Sequence, residues 1–313
     1  MTPALADANN GNWQTARRWS LLLRLHYRVT LTNRWQDEPA DVLLALHARR
    51  SADSIQRWDV DTPRRPMAVV LTGTDLYRDV HVDSQAQRSL ELADRLVVLT
   101  ERAIEDVPTP YRAKTIACFQ STTTRLTRVK TVHHLRCVMV GHLREEKAPQ
   151  TYFDAVRRLA HRSDLRFDHI GSALDPVLGE AARALQHDCR YYRWLGGLPY
   201  ATARGHIQRA HLLVHPSRIE GGAHVVMEAI CSGTPILASR ISGNVGMLGA
   251  DYAGYFEPGD ARGLASLIER CRDQPAILDK LRQQCAARTP LFRPERERQT
   301  LLTLLNDLLE NYR

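Results

Sequence analysis

Apolar runs of strand length recur along this chain, each separated from the next by a segment long enough for a helix. Such runs lie at residues 67–72, 95–100 and 114–119, preceded by a helix-forming stretch at 13–25 and β-rich runs at 27–31 and 41–46. Parallel strands need a crossover of a dozen or more residues, usually a helix, so this spacing dictates βαβ units and a parallel sheet. A polar stretch poor in helix signals, 121–132, interrupts the series, and a fresh strand at 135–140 restarts it. Helices are expected at 150–161, 176–187 and 223–231, strands at 165–170, 212–215 and 235–239, and further helices after Asp260, Pro275 and Pro294. The expected fold class is therefore α/β, with two Rossmann-like domains. Ligands of such sheets lie at the strand C-terminal ends, which places the expected active site in an interdomain cleft. A doubly wound sheet normally opens with a buried apolar strand, yet almost nothing stands ahead of the loop 8–12. Either the start omits that strand, the preferred reading, or residues 1–5 are its remnant.

A length of 313 residues suits two domains of ordinary size, and 43% apolar with 25% charged residues is the composition of a globular protein. The apolar runs fall far short of the roughly 20 residues of a membrane helix. The N-terminus lacks a basic region followed by an apolar one, so a cytoplasmic location is expected, with no membrane partner. The six cysteines stand singly, without Cys-x-x-Cys spacing, and read as buried thiols. A net charge of +8 invites a nucleic-acid partner, but residues 1–130 carry 19 Lys and Arg against 15 Asp and Glu, and the remainder 24 against 20. Neither half is a basic arm, so no nucleic acid is expected, and the excess suits small anionic ligands equally well.

The most informative stretch is 215–235, which reads as strand, Gly-Gly turn, helix and second strand, with Glu220 and Glu228 flanking the turn and the helix. Gly221, Gly222 and Ala223 leave backbone N–H groups free at a helix start to meet hydroxyls or phosphate. Glu228 would accept a pair of hydrogen bonds from vicinal hydroxyls. On spacing alone, a helix cap at Glu220 and a surface charge at Glu228 account for the pair at least as well. Asn10, Gly11 and Asn12 precede a helix, Thr74 and Asp75 end one strand, and Gln120 and Ser121 end another. All offer hydrogen-bonding groups, none offers an obvious general base, and simple cap or turn chemistry explains each.

Taken with Gly233-Thr-Pro235, the 215–235 stretch resembles the donor-binding signature of the GT-B glycosyltransferases of family 4. That resemblance implies that Glu220 lies by the transferred sugar and Glu228 holds the ribose of a nucleotide donor. Residues 140–147 resemble the family's Gly-Arg-Leu-x-x-x-Lys element, whose two cations clamp the donor diphosphate. Lys147 matches, while His142 stands where the family has Arg. Arg144 would contribute instead, or His142 would bind protonated. The likeness implies no metal and no cofactor, because cations and helix N-termini replace a divalent ion. It also implies that a C-terminal helix, 294–313, packs back on the first domain.

Residues 3–19, 45–53, 72–77, 140–147 and 243–249 together resemble a narrower group, the selenosugar synthases of selenoneine biosynthesis. The resemblance implies partners in a UDP-sugar, either UDP-N-acetylglucosamine or UDP-glucose, and selenophosphate. Residues 1–130 would then form the acceptor domain and 131–293 the donor domain. Glu220, Lys147 and Arg144 would be catalytic. His142, Lys147, Gly221, Gly222, Ala223 and Glu228 would bind the donor. Asn10, Gly11, Asn12, Thr74, Gln120 and Ser121, with Arg17 or Arg50 nearby, would bind selenophosphate, an anionic soft nucleophile that needs no base. Asp75, His47 and His224 are the candidates for assisting phosphate loss from the adduct. The alternatives are a conventional family 4 transferase with a sugar, lipid or small alcohol acceptor, an epimerase acting on UDP-N-acetylglucosamine, a non-catalytic sugar-nucleotide sensor and a nucleic-acid binder. Oligomeric state is not readable.

Overall fold

The computed structural model describes residues 1–3, 11–63 and 65–310. They divide into two compact units: Met1–Ser121 with Glu220–Gly222 and Leu291–Arg313, and Thr122–Ile219 with Ala223–Pro290. The residues from Thr122 to Ile219 group with the second unit. Residues 122–127 are strapped to the second unit: Arg125 N–H donates to Cys231 O at 2.8 Å, Gln208 Nε2 to Leu126 O at 2.7 Å, and Arg204 to Thr123 Oγ1 at 3.0 Å.

In the first unit the elements run α1 (Gly11–Leu23), β1 (Leu43–Leu46), α2 (Ala52–Asp61), β2 (Met67–Val70), a π-helical turn Asp75–Asp79 leading into α3 (Val80–Val82), α4 (Ser84–Leu92), β3 (Arg95–Val98) and β4 (Thr115–Ala117). The four strands pair in parallel in the order β1-β2-β3-β4. Because successive strand side chains point to opposite faces, β2 divides its residues between two cores. Met67 and Val69 join Ile55, Trp58 and Leu90 on one face. Ala68 and Val70 meet Ala16, Trp19 and Leu23 on the other, together with Leu301, Leu304, Leu305 and Leu308 of the C-terminal helix. The apolar run expected as a strand at 27–31 forms none. Tyr27, Val29 and Leu31 do pack against this second core, so the alternating pattern reports burial while the ladder is not made. Met1 and Thr2 lie in a strand-like position: the Met1 ammonium donates to Leu44 O at 2.7 Å, Leu46 N–H to Met1 O at 3.1 Å, and Thr2 N–H to Thr32 O at 3.0 Å.

The second unit runs β5 (Leu135–Val140), α5 (Pro149–Arg158), β6 (Leu165–Ile170), α6 (Pro176–Asp188), β7 (Tyr192–Trp194), α7 (Tyr200–Arg209), β8 (Leu212–His215), α8 (His224–Ile230), β9 (Ile236–Ser239), α9 (Ser242–Leu248), β10 (Tyr255–Phe256), α10 (Ala261–Asp273) and α11 (Pro275–Arg288). The last helix, α12 (Pro294–Glu310), belongs to the first unit. Asp175 and Asp260 cap α6 and α10 with side-chain hydrogen bonds, which fixes where those helices start. The sheet is parallel, in the order β10-β9-β8-β5-β6-β7. Strand order reverses between β5 and β8, so the crevice beyond their C-terminal ends is where a sheet of this kind receives ligands. Among the described residues, no helix is long and apolar enough to cross a membrane.

Candidate functional site

The loop leaving β5 holds its shape through two backbone features. Gly171 has φ +156°, and a Cβ there would stand 1.9 Å from Gly141 O, so only glycine permits this approach of the β5 and β6 ends. His169, fully buried, places Nε2 3.2 Å from the same Gly141 O and Nδ1 3.2 Å from the Tyr192 hydroxyl. Burial pushes His169 down to about 4, so the ring is neutral at pH 7 and acts as a wedge rather than a charge.

Upon that platform, Lys147 lies with its aliphatic stem over Gly141, 3.6 Å from where a Gly141 Cβ would stand. A side chain at 141 would crowd that stem. Arg144 is more exposed, with its Nε 3.9 Å from Glu146 Oε2. His142 Nδ1 accepts a hydrogen bond from Ser172 N–H at 3.1 Å, which leaves Nε2 to carry the proton. Burial, reinforced by Arg144 and Lys147, lowers its pKa below the usual histidine value. The expected option of a protonated His142 therefore runs against both its hydrogen bond and its neighbours, and His142 is placed as a neutral Nε2–H donor. The loops after β5 and β8 are tied directly, Arg218 N–H donating to Glu146 O at 2.8 Å.

Glu228, on α8, is buried at 4% exposure rather than being a surface charge. The Tyr200 hydroxyl hydrogen bonds to Glu228 and to Thr122, and burial followed by the Glu228 charge raises the phenol's pKa. A phenol donating to the carboxylate orients it, since an ionised carboxylate is acceptor-only with two oxygens. Sequence reasoning missed Tyr200; its only signal was a position just after the Gly196-Gly197 turn and Pro199, where α7 begins. Ala223 precedes α8 in extended conformation, with no side-chain cap.

Glu220, Gly221 and Gly222 group with the first unit. A Cβ on Gly221 would stand 2.8 Å from Gly73 N, where two backbones meet, and one on Gly222 would stand 2.9 Å from Leu99 Cβ, so both positions are too close for a side chain without a shift. Glu220 is buried at 8% exposure. Gln120 Nε2 donates to Thr15 Oγ1 at 2.5 Å, and Thr15 in turn to Gly11 O at 2.9 Å. The other amide atom, Gln120 Oε1, is buried with no partner among the described residues. Ser121 spends both donors on Glu297, N–H at 2.9 Å and Oγ at 2.5 Å. Gly11 opens α1 with Asn12 beside it, and Asn10 lies outside the described residues.

His47 and Asp75, which the sequence offered separately, are brought together. His47 sits at the end of β1 with φ 74°, a left-handed conformation that a non-glycine residue adopts only when its surroundings impose it. Its Nε2 is 3.3 Å from Thr74 Oγ1, and its Nδ1 is 3.8 Å from Asp75 Oδ2. Asp75 is fully buried and accepts from Ala48 N–H at 2.9 Å, Thr72 N–H at 2.7 Å and Thr72 Oγ1 at 2.9 Å. Burial raises the Asp75 pKa and lowers that of His47. Burial dominates both shifts and favours the uncharged form of each. Arg17 and Arg50 are exposed, and His224 opens α8. Among the described residues, no three His, Cys, Asp or Glu side chains converge as a metal site.

Comparison with solved structures returns the same two-sheet architecture. TarM of S. aureus superposes with a TM-score of 0.66 at 12% identity, over 86% of this chain and 55% of TarM. HepE of Anabaena, solved with UDP and glucose, gives 0.69 at 16%, over 85% of this chain and 77% of HepE. Sucrose-phosphate synthase of Thermosynechococcus elongatus gives 0.71 at 18%, over 87% and 74%. The chain thus spans little more than half of TarM and about three quarters of the other two. At these identities the likeness establishes the fold, an α/β GT-B architecture of two parallel-sheet units. No curated protein matches the sequence. The family described as glycosyl transferases group 1 matches residues 130–291, slightly more than half of the chain and nearly all of the second unit. By that match, this chain belongs to the glycosyl transferases group 1 family.

Proposed function

We propose that the protein is a UDP-sugar-dependent glycosyltransferase that joins the sugar of UDP-N-acetylglucosamine or UDP-glucose to selenophosphate, forming a C–Se bond. The observation carrying the donor half is the grouping at the ends of β5 and β8: Lys147 laid over Gly141 beside His142 and Arg144, and a buried Glu228 oriented by Tyr200. HepE has been solved with UDP-glucose, and the pneumococcal O-GlcNAc transferase GtfA with UDP and GlcNAc, which supports a uridine donor.

In this reading Lys147 and Arg144 meet the diphosphate and stabilise the charge that grows on it as the C1–O bond breaks. His142 donates Nε2–H to the same group as a neutral partner. Glu228 accepts from the ribose hydroxyls, while Glu220 with the Gly221–Gly222–Ala223 backbone orients the sugar. Selenium attacks C1, UDP leaves, and hydrolysis of the P–Se bond releases the selenosugar. Gly11, Asn12, Thr74 and Gln120 hold selenophosphate, with Asn10 assigned from sequence. Ser121, both of whose donors serve Glu297, shapes the site by holding Gln120 in place. Support for the selenium acceptor is the five-segment likeness to selenosugar synthases.

One observation favours a second reading. His47, 3.3 Å from Thr74 Oγ1 and beside Asp75, is a candidate general base, which an alcohol acceptor needs and selenophosphate does not; its Nδ1 accepts from Arg50 N–H at 3.4 Å, so the neutral ring carries its proton on Nε2 and must change tautomer before Nε2 can accept one. Mass analysis of enzyme with selenophosphate, an alcohol or sugar acceptor and competing UDP-sugars separates the two. A selenosugar formed only with selenophosphate supports the first. Selenium-independent transfer to a hydroxyl overturns it and establishes the second, and sugar-nucleotide conversion without any acceptor overturns both.

A further inference from the structure

Behind the donor loops, in the second unit, the polar segment that the sequence presented as a linker forms one wall of a cavity of about 510 Å³ against α10 and α11. That volume lies in the range of small-molecule sites. Four cations line it, Arg128, Lys130, Arg272 and Arg282, and no carboxylate does. Two of the four are already engaged: Arg272 with Asp164 at 2.8 Å, and Arg282 with Asp279 at 2.5 Å. Arg128 and Lys130 have no carboxylate partner among the described residues. Lys130 Nζ donates only to Thr234 Oγ1, at 3.4 Å.

The floor is apolar. Leu135 is fully buried and Cys271 keeps its proton, since burial pushes the thiol up to about 12. His211 adds no charge: its Nδ1 accepts from Arg136 N–H at 3.0 Å and its Nε2 faces Thr131 O at 2.8 Å. Burial lowers its pKa, so the neutral ring pins the linker wall in place. Thr127 closes the same wall against Gly233, where φ is +67° and a Cβ would stand 2.1 Å from Thr127 Oγ1. The wall is thus built onto the unit rather than draped over it.

We propose that this cavity is a second ligand site, taking a small organic anion whose phosphate or carboxylate sits between Lys130, Arg128 and Arg282 and whose apolar body lies on Leu135 and Leu278. An uncompensated ammonium, most of it out of water, costs free energy that a bound oxyanion recovers. Burial and the Arg282 charge push Lys130 down to about 8, so its amine is partly unprotonated just above neutral pH and reacts with carbonyl compounds.

The chain has four lysines, Lys114, Lys130, Lys147 and Lys280, which makes the site directly readable. Pyridoxal 5′-phosphate, an aromatic phosphate with an aldehyde, serves as the probe. The amine adds to the carbonyl with loss of one water to give an imine, borohydride supplies the hydride that reduces it, and peptide mapping locates the label. Lys130 is expected to carry most of the label outside the donor loop. An excess of 4-nitrophenyl phosphate should reduce that labelling about tenfold, as competition at a single site requires. UDP should leave it unchanged.

Even labelling of Lys114, Lys130 and Lys280 overturns the proposal, as does labelling of Lys130 that the aromatic phosphate does not displace. Protection of Lys130 by UDP would assign the anion to the donor site instead. If inorganic phosphate competes as well as the aromatic one, the apolar half of the site is refuted. Arg128→Met, at an exposed position and so without risk to folding, should lower Lys130 labelling severalfold; unchanged labelling overturns the role of the cation cluster.

Discussion

Glu297 provides the sharpest test of how the first unit is held together. Its side chain is fully buried and comes from α12, yet it accepts from three residues in two other segments: Arg18 Nε at 2.8 Å and Trp19 Nε1 at 2.7 Å in α1, and Ser121 through both N–H and Oγ. Glu297→Ala removes every acceptor at once and leaves a guanidinium at 18% exposure and three neutral donors behind. Breaking one partner of a buried ion pair costs about 3–5 kcal/mol. The residual exposure of Arg18 lets water recover part of that, while the stranded indole and Ser121 N–H groups add about 1–3 kcal/mol each. A net loss of about 4 kcal/mol is expected. Glu297→Gln, which keeps one carbonyl acceptor and the packing, should cost about half as much. Urea denaturation followed by tryptophan fluorescence reads the change as a shifted midpoint. A Glu297→Ala midpoint within about 1 kcal/mol of the parent would refute the claim that this carboxylate joins α1, α12 and Ser121.

Gly171→Ala should destabilise the second unit by about 3 kcal/mol or more, because its Cβ would overlap Gly141 O; a denaturation midpoint unchanged from the parent excludes the close approach. Lys147→Ala should lower kcat/KM for the UDP-sugar by about 10²–10³-fold and Arg144→Ala by far less, measured as UDP release, with equal losses contradicting the assignment of Lys147 as the main clamp. His169 has a folded pKa depressed from 6.5 to about 4, so its contribution is fully present above pH 6.5. As pH falls from there towards 4 the unfolded chain takes up the proton first, and stability drops by up to roughly 3 kcal/mol. Denaturation midpoints across that window should slope less in His169→Gln than in the parent, and parallel slopes would show that His169 is not the titrating group.

How much was legible in the sequence depended on how local the cause was. The α/β class and most strands of the second unit follow from apolar period and length, and Leu135–Val140, Leu165–Ile170 and Leu212–His215 form where that pattern put them. The run at 27–31 shows the limit, since the same alternation satisfies a buried edge without a ladder. Composition registers the polar stretch at 121–132 but not the hydrogen bonds that tie residues 122–127 to α7 and the end of α8.

The Gly-Gly turn, Glu228 and Lys147 were singled out because short motifs carry their own spacing. Their physical states were not legible there. That Glu228 is buried against Tyr200, that His142 is a neutral donor fixed by Ser172, and that His47, Thr74 and Asp75 converge all depend on side chains from different elements brought together within each unit. The sequence by itself determined the family and the repeating units, because backbone hydrogen bonding and apolar periodicity act over a few residues. Only the tertiary structure decided charge states, hydrogen-bond partners and the cavity beside Lys130, because burial and electrostatics depend on distances between residues far apart in the chain.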